Sequence, residues 1–506
     1  MNDAPSIPVH PSSQTFCPPH LRWHVLVAAI LASSLGFIDS SVVPIAIPAI
    51  RADIGATLPQ AQWISSAYLL MVSALVMAGG AAGDRYGLRN VFGGGIVFFL
   101  VASLLCAAAP DATFLIAVRA LQGLGAAIMI PGSLAIIAKA YPPQERGRAI
   151  GIWAAASAAT SGLGPVAGGL IIGATGDWGW RLIFAINLPL GLAALALLFK
   201  VPADRPEGGR RLDPAGVVLA TLALGTMALG LSGGRAAFSS IAPGAPAPDW
   251  PMIAAGFVIL TAFLWWEKQA RQPMMPLSLF ADHAFAGANI ATFLIYFALS
   301  AVLFFLPMTL ITAWETSEAQ AALTFVPITL LVGVMSGPVG KASARLGPRI
   351  FMATGSLICA LAYAWVALTM DQKQFWGALM PAMTLMGFGM GVLVSPLSAA
   401  VMTAVPDSQT GMASAINNTV ARLSGLFAVA SLGGVISAVF LAFPGADPLP
   451  AFGQTPPAGA SAEAVAAWRS ASNAAFSVLA FIAAAMCAVA AVVSWVSLDN
   501  RQAIEA

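Results

Sequence analysis

The sequence predicts an all-α polytopic membrane protein, and three observations support this fold class. Of the 506 residues, 59% are apolar and only 9% are Asp, Glu, Lys or Arg, whereas about 25% are charged in an ordinary soluble domain. Fourteen apolar runs have about the 20-residue length that crosses the hydrocarbon core of a bilayer. A ten-residue segment recurs in the second half, which indicates two related halves.

The predicted spans are joined mostly by short connections. They cover residues 24–48, 59–81, 90–109, 112–139, 147–173, 180–199, 214–234, 250–266, 284–307, 319–338, 350–370, 376–402, 412–443 and 471–496. An even number of spans places both termini on one side of the membrane. Sixteen of the 23 Lys and Arg residues fall on that side and five on the other. Because cytoplasmic loops are enriched in these residues, both termini are predicted to be cytoplasmic.

The repeat sets the expected domain organisation. Residues Gly80–Arg89 read GAAGDRYGLR, and residues Gly340–Arg349 read GKASARLGPR. These segments follow the second and the tenth predicted spans, so equivalent points are eight spans apart, and two spans are inserted between two six-span halves. The predicted units are a cytoplasmic N-terminal tail (1–23), an N-terminal six-helix bundle (24–200), a linker with two extra transmembrane helices (201–283), a C-terminal six-helix bundle (284–496) and a cytoplasmic tail (497–506).

Several function classes find no support in the sequence. The net charge is only +2, so no basic surface for nucleic acid is expected. The four cysteines are scattered, which predicts neither a disulfide framework nor a metal site. No Walker A motif occurs, and the one G-x-S-x-G string, from Gly230 to Gly234, closes an apolar helix instead of a strand-to-helix turn. No enzyme activity and no cofactor are expected.

Five short motifs follow one another in the N-terminal half. They comprise Phe37, Ile38, Asp39, Val42, Val43, Ile47 and Pro48; Gly80, Gly83, Asp84, Arg85, Gly87 and Arg89; Arg119, Gln122, Gly123, Gly125 and Ala126; Gly164, Pro165, Gly168 and Gly169; and the string W-R-x-I-F-x-I-N-x-P from Trp180 to Pro189. In type and order they match signatures of the major facilitator superfamily. Over nearly its whole length the chain resembles that superfamily's drug/proton antiporters with fourteen helices.

The resemblance implies a major facilitator fold and a function. The expected activity is proton-coupled secondary active export of lipophilic drugs or related small molecules by alternating access, in a bacterial inner or plasma membrane. The expected partners are a small lipophilic substrate, protons and the lipid bilayer, and a periplasmic adaptor protein is a further candidate. Two alternatives remain open: a specific exporter of a metabolite, lipid or siderophore, and a membrane sensor without transport.

Asp39 is the only carboxylate placed well inside a predicted span. An acid at the centre of a membrane helix costs about 2.5 to 3.5 kcal/mol on insertion scales, so Asp39 is expected to face the protein interior. At about 1.5 Å per residue, Asp39 and Arg119 reach similar depths and could meet, and Gln122 lies one helical turn from Arg119. Burial disfavours the charge of Asp39 and an adjacent arginine favours it, so helix movement can switch proton binding. The alternative is a fixed structural ion pair.

The first repeat segment is the candidate gate. The resemblance implies that Gly80, Asp84, Arg85, Gly87 and Arg89 form a loop that pairs with the other half. Asp84 would latch the cytoplasmic mouth by its attraction to the N-terminus of the thirteenth span. The alternative is a charged loop that serves only as a topology signal.

Two further sets complete the candidate site. Gly164, Pro165, Gly168 and Gly169 allow close packing and a bend in the fifth span, and the resemblance makes them an antiport signature. In the thirteenth span, the polar residues Asn417, Asn418 and Arg422 either line the C-terminal part of a cavity or form an interhelical hydrogen-bond network. Because acids are scarce inside the spans, neutral, zwitterionic or anionic amphiphiles, or at most monocations, are expected to be preferred to dications.

Overall fold

The computed structural model describes residues 16–204, 213–234, 247–270, 273–406, 409–444, 450–457 and 459–498. Within these ranges fourteen helices are long and apolar enough to cross a membrane, and the predicted fold class is confirmed. They are α1 (Pro19–Ile54), α2 (Leu58–Tyr86), α3 (Leu88–Ala107), α4 (Ala112–Ala140), α5 (Pro143–Thr175), α6 (Asp177–Leu198), α7 (Pro214–Leu231), α8 (Trp250–Gln269), α9 (His283–Thr312), α10 (Glu318–Leu346), α11 (Pro348–Gln372), α12 (Phe375–Thr403), α13 (Thr410–Leu441) and α14 (Ala462–Ser497).

Several helices extend beyond the predicted spans. The first was predicted at 24–48, whereas α1 runs from Pro19 to Ile54 and contains Pro44 and Pro48. The length of an apolar run corresponds to the thickness of the hydrocarbon core. The helix can continue beyond that core, because it ends only where its backbone hydrogen bonds end. At the start of α2, for example, the Thr57 hydroxyl accepts from the Gln60 amide at 3.3 Å and the Gln60 side chain accepts from the Thr57 amide at 2.9 Å. This reciprocal cap fixes the first turn.

The helices pack in a pattern that follows the repeat. In the N-terminal part α1 packs on α5 and α6, and α4 packs on α2 and α3. In the C-terminal part the equivalent helices make the equivalent contacts: α9 packs on α13 and α14, and α12 packs on α10 and α11. The inserted helices α7 and α8 pack on each other, and α7 also contacts α2 and α13. The Trp63 indole N–H, on α2, donates to the Ser232 hydroxyl just after α7 at 2.7 Å. The predicted domain boundaries stay a prediction.

The two ends of the molecule differ. We call the end where α1 begins and α14 ends the terminal end, and the opposite one the far end. At the far end α5 packs closely on α10: a Cβ built at Gly169 would lie 2.6 Å from the Glu318 carbonyl oxygen. A second far-end contact joins Arg51 of α1 to the loop before α14, because its guanidinium donates to the Phe452 carbonyl at 2.7 Å. These contacts close the far end.

At the terminal end the halves separate around a cavity of about 620 Å³, the terminal cavity. One wall consists of residues from α2 and α4, including Asp84, and the other consists of residues from α13, including Asn418 and Arg422. Further along, α2 and α13 come together, and the Gln62 side-chain amide donates to the Val429 carbonyl. Within the described residues, the two halves therefore separate at the terminal end and contact each other at the far end.

Candidate functional site

The N-terminal half contains a buried ion pair between α1 and α4. The Arg119 guanidinium donates to the Asp39 carboxylate at 2.5 Å, and both residues are only 1% exposed. Gln122 completes the cluster: its amide donates to the other Asp39 oxygen at 2.9 Å, and its carbonyl oxygen accepts from Arg119 at 2.6 Å. The structure thus brings together the three residues to which the sequence assigned proton coupling.

Further buried groups hold this cluster in place. The Arg119 Nε–H donates to the Ile64 carbonyl on α2 at 3.0 Å, and the Gln122 amide also donates to the Ser103 hydroxyl on α3 at 3.3 Å. Asn187 of α6 donates to the same hydroxyl at 2.8 Å. Four helices besides α1 therefore position the pair, and a buried charge pair needs such additional hydrogen bonds to offset its desolvation.

Tyr68 and Phe184 flank the arginine. The Arg119 guanidinium carbon lies 4.4 Å from the centroid of the Tyr68 ring and 5.6 Å from that of Phe184, both within the range of cation–π attraction. Sequence reasoning missed Tyr68 and Ser103, because a single Tyr or Ser in an apolar run gives no signal. Asn187 belongs to the W-R-x-I-F-x-I-N-x-P string, so the motif could have identified it.

A second cavity, the central cavity, of about 430 Å³, lies between the halves beside this cluster. Its lining includes Ser40, Ser41, Ser65, Tyr68 and Arg119 from the N-terminal half, and Tyr296, Phe304, Phe325, Thr329 and Met390 from the C-terminal half. Asp39 is not part of the lining, because it lies behind Arg119. The guanidinium therefore connects the buried carboxylate to a space that is large enough for a small organic molecule.

The helix α5 motif brings backbones into close contact. A Cβ at Gly164 would lie 2.4 Å from the Ser41 hydroxyl of α1, and one at Gly168 would lie 3.1 Å from Val42. Gly169 faces α10 instead, and Pro165 lines the central cavity. The motif therefore packs α5 against one helix of its own half and against one helix of the other half.

The first repeat segment forms a tight turn at the terminal end. Gly87 adopts φ +94°, a conformation that favours glycine, and Gly80 packs near Pro131 of α4. Asp84 is exposed and lines the terminal cavity, and among the described residues it makes no hydrogen bond or ion pair. The expected latch between Asp84 and α13 is not formed in this open arrangement. Arg85 lies over its neighbour Tyr86, with its guanidinium carbon 5.6 Å from the ring centroid.

A different carboxylate holds this turn. Asp204, which follows α6, accepts hydrogen bonds from the backbone amides of Leu88 and Arg89, both at 2.9 Å. A second bond joins the same two regions: the Arg89 side chain donates to the Phe199 carbonyl at 3.1 Å. Asp204 is 8% exposed and was missed, because it lies in a charged loop whose contacts the sequence does not reveal. The turn is thereby fixed to α6 within its own half.

The polar residues of α13 have separate roles. Asn417 donates to the Asn289 side-chain carbonyl at 3.2 Å and to the Thr292 hydroxyl at 2.7 Å, both on α9. Asn418 donates to the Ser414 carbonyl of its own helix at 3.0 Å. Arg422 lines the terminal cavity and, among the described residues, has no hydrogen bond or ion pair. Asn418 and Arg422 therefore line a cavity, whereas Asn417 forms an interhelical bond.

A helical membrane protein whose repeated halves enclose a cavity open at one end is built as a secondary transporter. The comparisons give the family: the chain belongs to the Major Facilitator Superfamily, whose model matches residues 29–281 and 288–504. This confirms the resemblance read from the motifs. The protein is accordingly a multi-pass membrane transporter and not an enzyme.

The relatives carry names of resistance and export proteins. The chain is 30% identical to the multidrug resistance protein Stp of Mycobacterium tuberculosis, over 82% of this chain and 75% of the relative. It is 31% identical to the methylenomycin A resistance protein of Streptomyces coelicolor, over 80% and 85%. It is 32% identical to the cephamycin export protein CmcT of Amycolatopsis lactamdurans, over 80% and 83%.

Solved structures share the fold. A bacterial homolog of the human lysosomal transporter Spinster superposes with a TM-score of 0.67 at 17% identity, over 95% of this chain and 97% of that chain. The D-xylose-proton symporter superposes with a TM-score of 0.63 at 16% identity, over 95% and 99%.

Proposed function

We propose that this protein is a proton-coupled exporter of lipophilic drugs or related small molecules. The observation that carries the proposal is the buried ion pair of Asp39 and Arg119. Its arginine is part of the lining of the central cavity. Ionisable residues inside membrane proteins commonly mark proton or substrate pathways. The names of the relatives, which include resistance and export proteins, support the direction of transport.

The geometry suggests how the binding of a proton and the binding of a substrate are linked. Protonation of the Asp39 carboxylate removes the negative charge that holds Arg119, and loss of that proton restores it. Since α1 and α4 each supply one partner, the strength of the attraction between these helices depends on the proton. A substrate in the central cavity contacts Arg119 directly, so its binding and the protonation of Asp39 act on the same guanidinium.

The orientation of the chain follows from its charges. Lys and Arg are concentrated at the terminal end, which the positive-inside rule places in the cytoplasm. The terminal cavity then opens to the cytoplasm, where an exporter takes up its substrate. Asp84, Arg85 and Arg89, with Gly80 and Gly87, would form the cytoplasmic gate. Gly169 would keep the far end closed in this state, and Gly164, Pro165 and Gly168 would position α5 against α1 and the central cavity.

The experiment is transport by purified protein in inside-out proteoliposomes. A neutral dye (phenylnaphthylamine), an anion (anilinonaphthalene sulfonate) and a monocation (ethidium) serve as probes. An imposed pH gradient, acid inside, is expected to drive accumulation of at least one dye, and collapse of the gradient with a protonophore is expected to abolish it. Dye accumulation that is equal with and without the gradient would contradict proton coupling. Lack of transport of any amphiphile, together with specific binding, would favour a sensor.

A further inference from the structure

Tyr68 carries a hydroxyl group that lacks a hydrogen-bond partner within the described part of the chain. The side chain is 1% exposed and lines the central cavity. Ser65, one helical turn earlier on α2, also lines the cavity, and its hydroxyl likewise has no partner among the described residues. A buried hydroxyl without a hydrogen bond costs about 1 to 3 kcal/mol, so two such groups on residues that line one cavity point to a ligand that satisfies them.

Three other hydroxyls of the lining donate to carbonyls of their own helices, and the lining also includes the hydroxyl residues Ser161, Tyr296 and Ser300. Ser41 donates to the Ile38 carbonyl at 3.1 Å, and Ser40 donates to the Phe37 carbonyl at 3.1 Å. Thr329 donates to the Phe325 carbonyl at 3.4 Å. The buried hydroxyls of Tyr68 and Ser65, without a partner among the described residues, belong to the same lining as Arg119 and the apolar side chains of Phe304, Phe325 and Met390.

The charge around the cavity has one sign. Among the described residues, Arg119 is the only charged one in the lining, and none of the described Asp or Glu residues takes part in it. The Asp39 side chain is 0% exposed and is paired with Arg119. A cation in this cavity would meet a guanidinium and hydroxyl donors but no carboxylate, whereas an acceptor group would find three donors in one place.

We infer that Tyr68 determines substrate specificity by donating a hydrogen bond to an acceptor group of a neutral or anionic amphiphile. The acceptor is a carbonyl, carboxylate or sulfonate oxygen, and the apolar part of the substrate lies against the aromatic side chains of the C-terminal half. This inference rests on the proposed function and deepens it. Because the Tyr68 ring packs 4.4 Å from the Arg119 guanidinium carbon, the group that selects the substrate also contacts the proton-linked pair.

The test is equilibrium binding of two dyes to the full-length protein in lipid nanodiscs. Phenylnaphthylamine and anilinonaphthalene sulfonate share one aromatic scaffold and differ by the sulfonate. Saturable fluorescence above that of empty nanodiscs reports binding of each. Tyr68→Phe keeps the ring over Arg119 and removes only the hydroxyl. It is expected to weaken binding of the sulfonate dye about tenfold, as loss of a hydrogen bond to a charged group does, and binding of phenylnaphthylamine by less than about twofold.

The chain offers a matched control. Tyr363 of α11 is also 1% exposed and also has a hydroxyl without a partner among the described residues, but it is not part of the central-cavity lining. Tyr363→Phe is expected to leave both affinities unchanged, and Ser65→Ala is expected to weaken binding of the sulfonate dye selectively, as Tyr68→Phe does. An equal effect of Tyr68→Phe on both dyes, or no effect on either, would overturn the inference and would indicate that the hydroxyl binds only water.

The outcome is separable from that of the transport assay. Binding at equilibrium needs no pH gradient, so selective weakening by Tyr68→Phe in a protein that shows no gradient-driven transport would support the specificity site and refute proton coupling. Gradient-driven transport with an unchanged dye preference in Tyr68→Phe would refute the specificity site and leave the proposed exporter intact.

Discussion

The N-terminal and C-terminal halves both place polar groups near the middle of the membrane, but only the N-terminal half places a carboxylate there. Asp39 is bound by Arg119 and Gln122. In the C-terminal half, Asn417 instead donates hydrogen bonds to two neutral side chains, Asn289 and Thr292. The sequence of α9 to α14 has no Asp or Glu away from the helix ends. A proton can therefore change the charge of one half only.

The two arginines show the same difference. Arg119 donates to Asp39, to Gln122 and to the Ile64 carbonyl, whereas Arg422 is half-buried and, within the described chain, unpaired. One guanidinium is locked into a network by its planar set of donors, and the other offers its charge to the terminal cavity. This difference supports the proposal that proton coupling belongs to the N-terminal half and that the C-terminal half supplies a polar lining.

The largest effect is expected from Asp39→Asn, which keeps the shape of the side chain but cannot carry a proton. Gradient-driven dye transport is expected to fall to the level of empty vesicles, while the purified protein remains folded and monodisperse. Asp53→Asn is the matched control. Asp53 lies on the same helix and is paired with Arg181 at the far end, so this change is expected to leave the dependence on the pH gradient in place. Undiminished coupling in Asp39→Asn would refute the assignment.

A smaller loss is expected from exchanging the arginines for lysine. Arg119→Lys keeps the charge but loses the fork that binds several acceptors at once, and we expect a decrease in transport rate of about tenfold or more. Arg422→Lys has no such bonds to lose and is expected to cost clearly less. Initial rates at a fixed pH gradient measure both variants, and equal losses would remove the distinction between the two halves.

Asn417→Ala tests whether the polar network of the C-terminal half is structural. Loss of its bonds to α9 is expected to destabilise the protein by about 0.5 to 2 kcal/mol, the usual range for interhelical hydrogen bonds in membranes. Thermal unfolding in detergent should show a lower midpoint, and the number of protons moved per dye should be unchanged. Asn418→Ala, which breaks a bond only within its own helix, should leave the midpoint in place. A changed proton stoichiometry in Asn417→Ala would show that the C-terminal half takes part in coupling.

The smallest effect is expected from Asp84→Asn. Its equivalent in the second repeat is Ala344, so the proposed cytoplasmic latch also belongs to the N-terminal half alone. Attraction of a carboxylate to a helix N-terminus contributes about 0.3 to 1 kcal/mol, and its loss should shift the population modestly towards the state that is open at the terminal end. Distances between spin labels on α2 and α13 measure this shift. Unchanged distance distributions would reduce Asp84 to a topology signal.

The two repeated turns show what the sequence could and could not predict. Gly87 and Gly347 both adopt a positive φ, +94° and +85°, as their alignment in the repeat suggests. The residues that follow the two glycines are stabilised differently. The backbone amides of Leu88 and Arg89 donate to the Asp204 carboxylate, whereas Pro348, at the position equivalent to Leu88, has no amide hydrogen to donate. The guanidinium carbon of Arg349 instead lies 4.3 Å from the Trp495 ring centroid. The turn was predictable from local residues, and its distant partners were not.

The same limit applies to the candidate site. Helix rise alone placed Asp39 and Arg119 at one depth, and the high cost of buried charge indicated that they face inward. Ser103 and Tyr68 could not be found in this way. Helices that are apolar on all sides carry little information about their rotation, and an uncharged Ser or Tyr is tolerated on any face. The hydroxyls that surround the pair therefore required the structure.

The most direct test of proton coupling through Asp39 is the release of protons when a substrate binds. Each dye that the wild-type protein exports is added to purified protein in weakly buffered solution, and a pH indicator records the change. The wild-type protein is expected to release protons on binding, as the exchange of a dye for a proton requires. Asp39→Asn is expected to bind the dye with no release. Equal release by the variant would contradict the account.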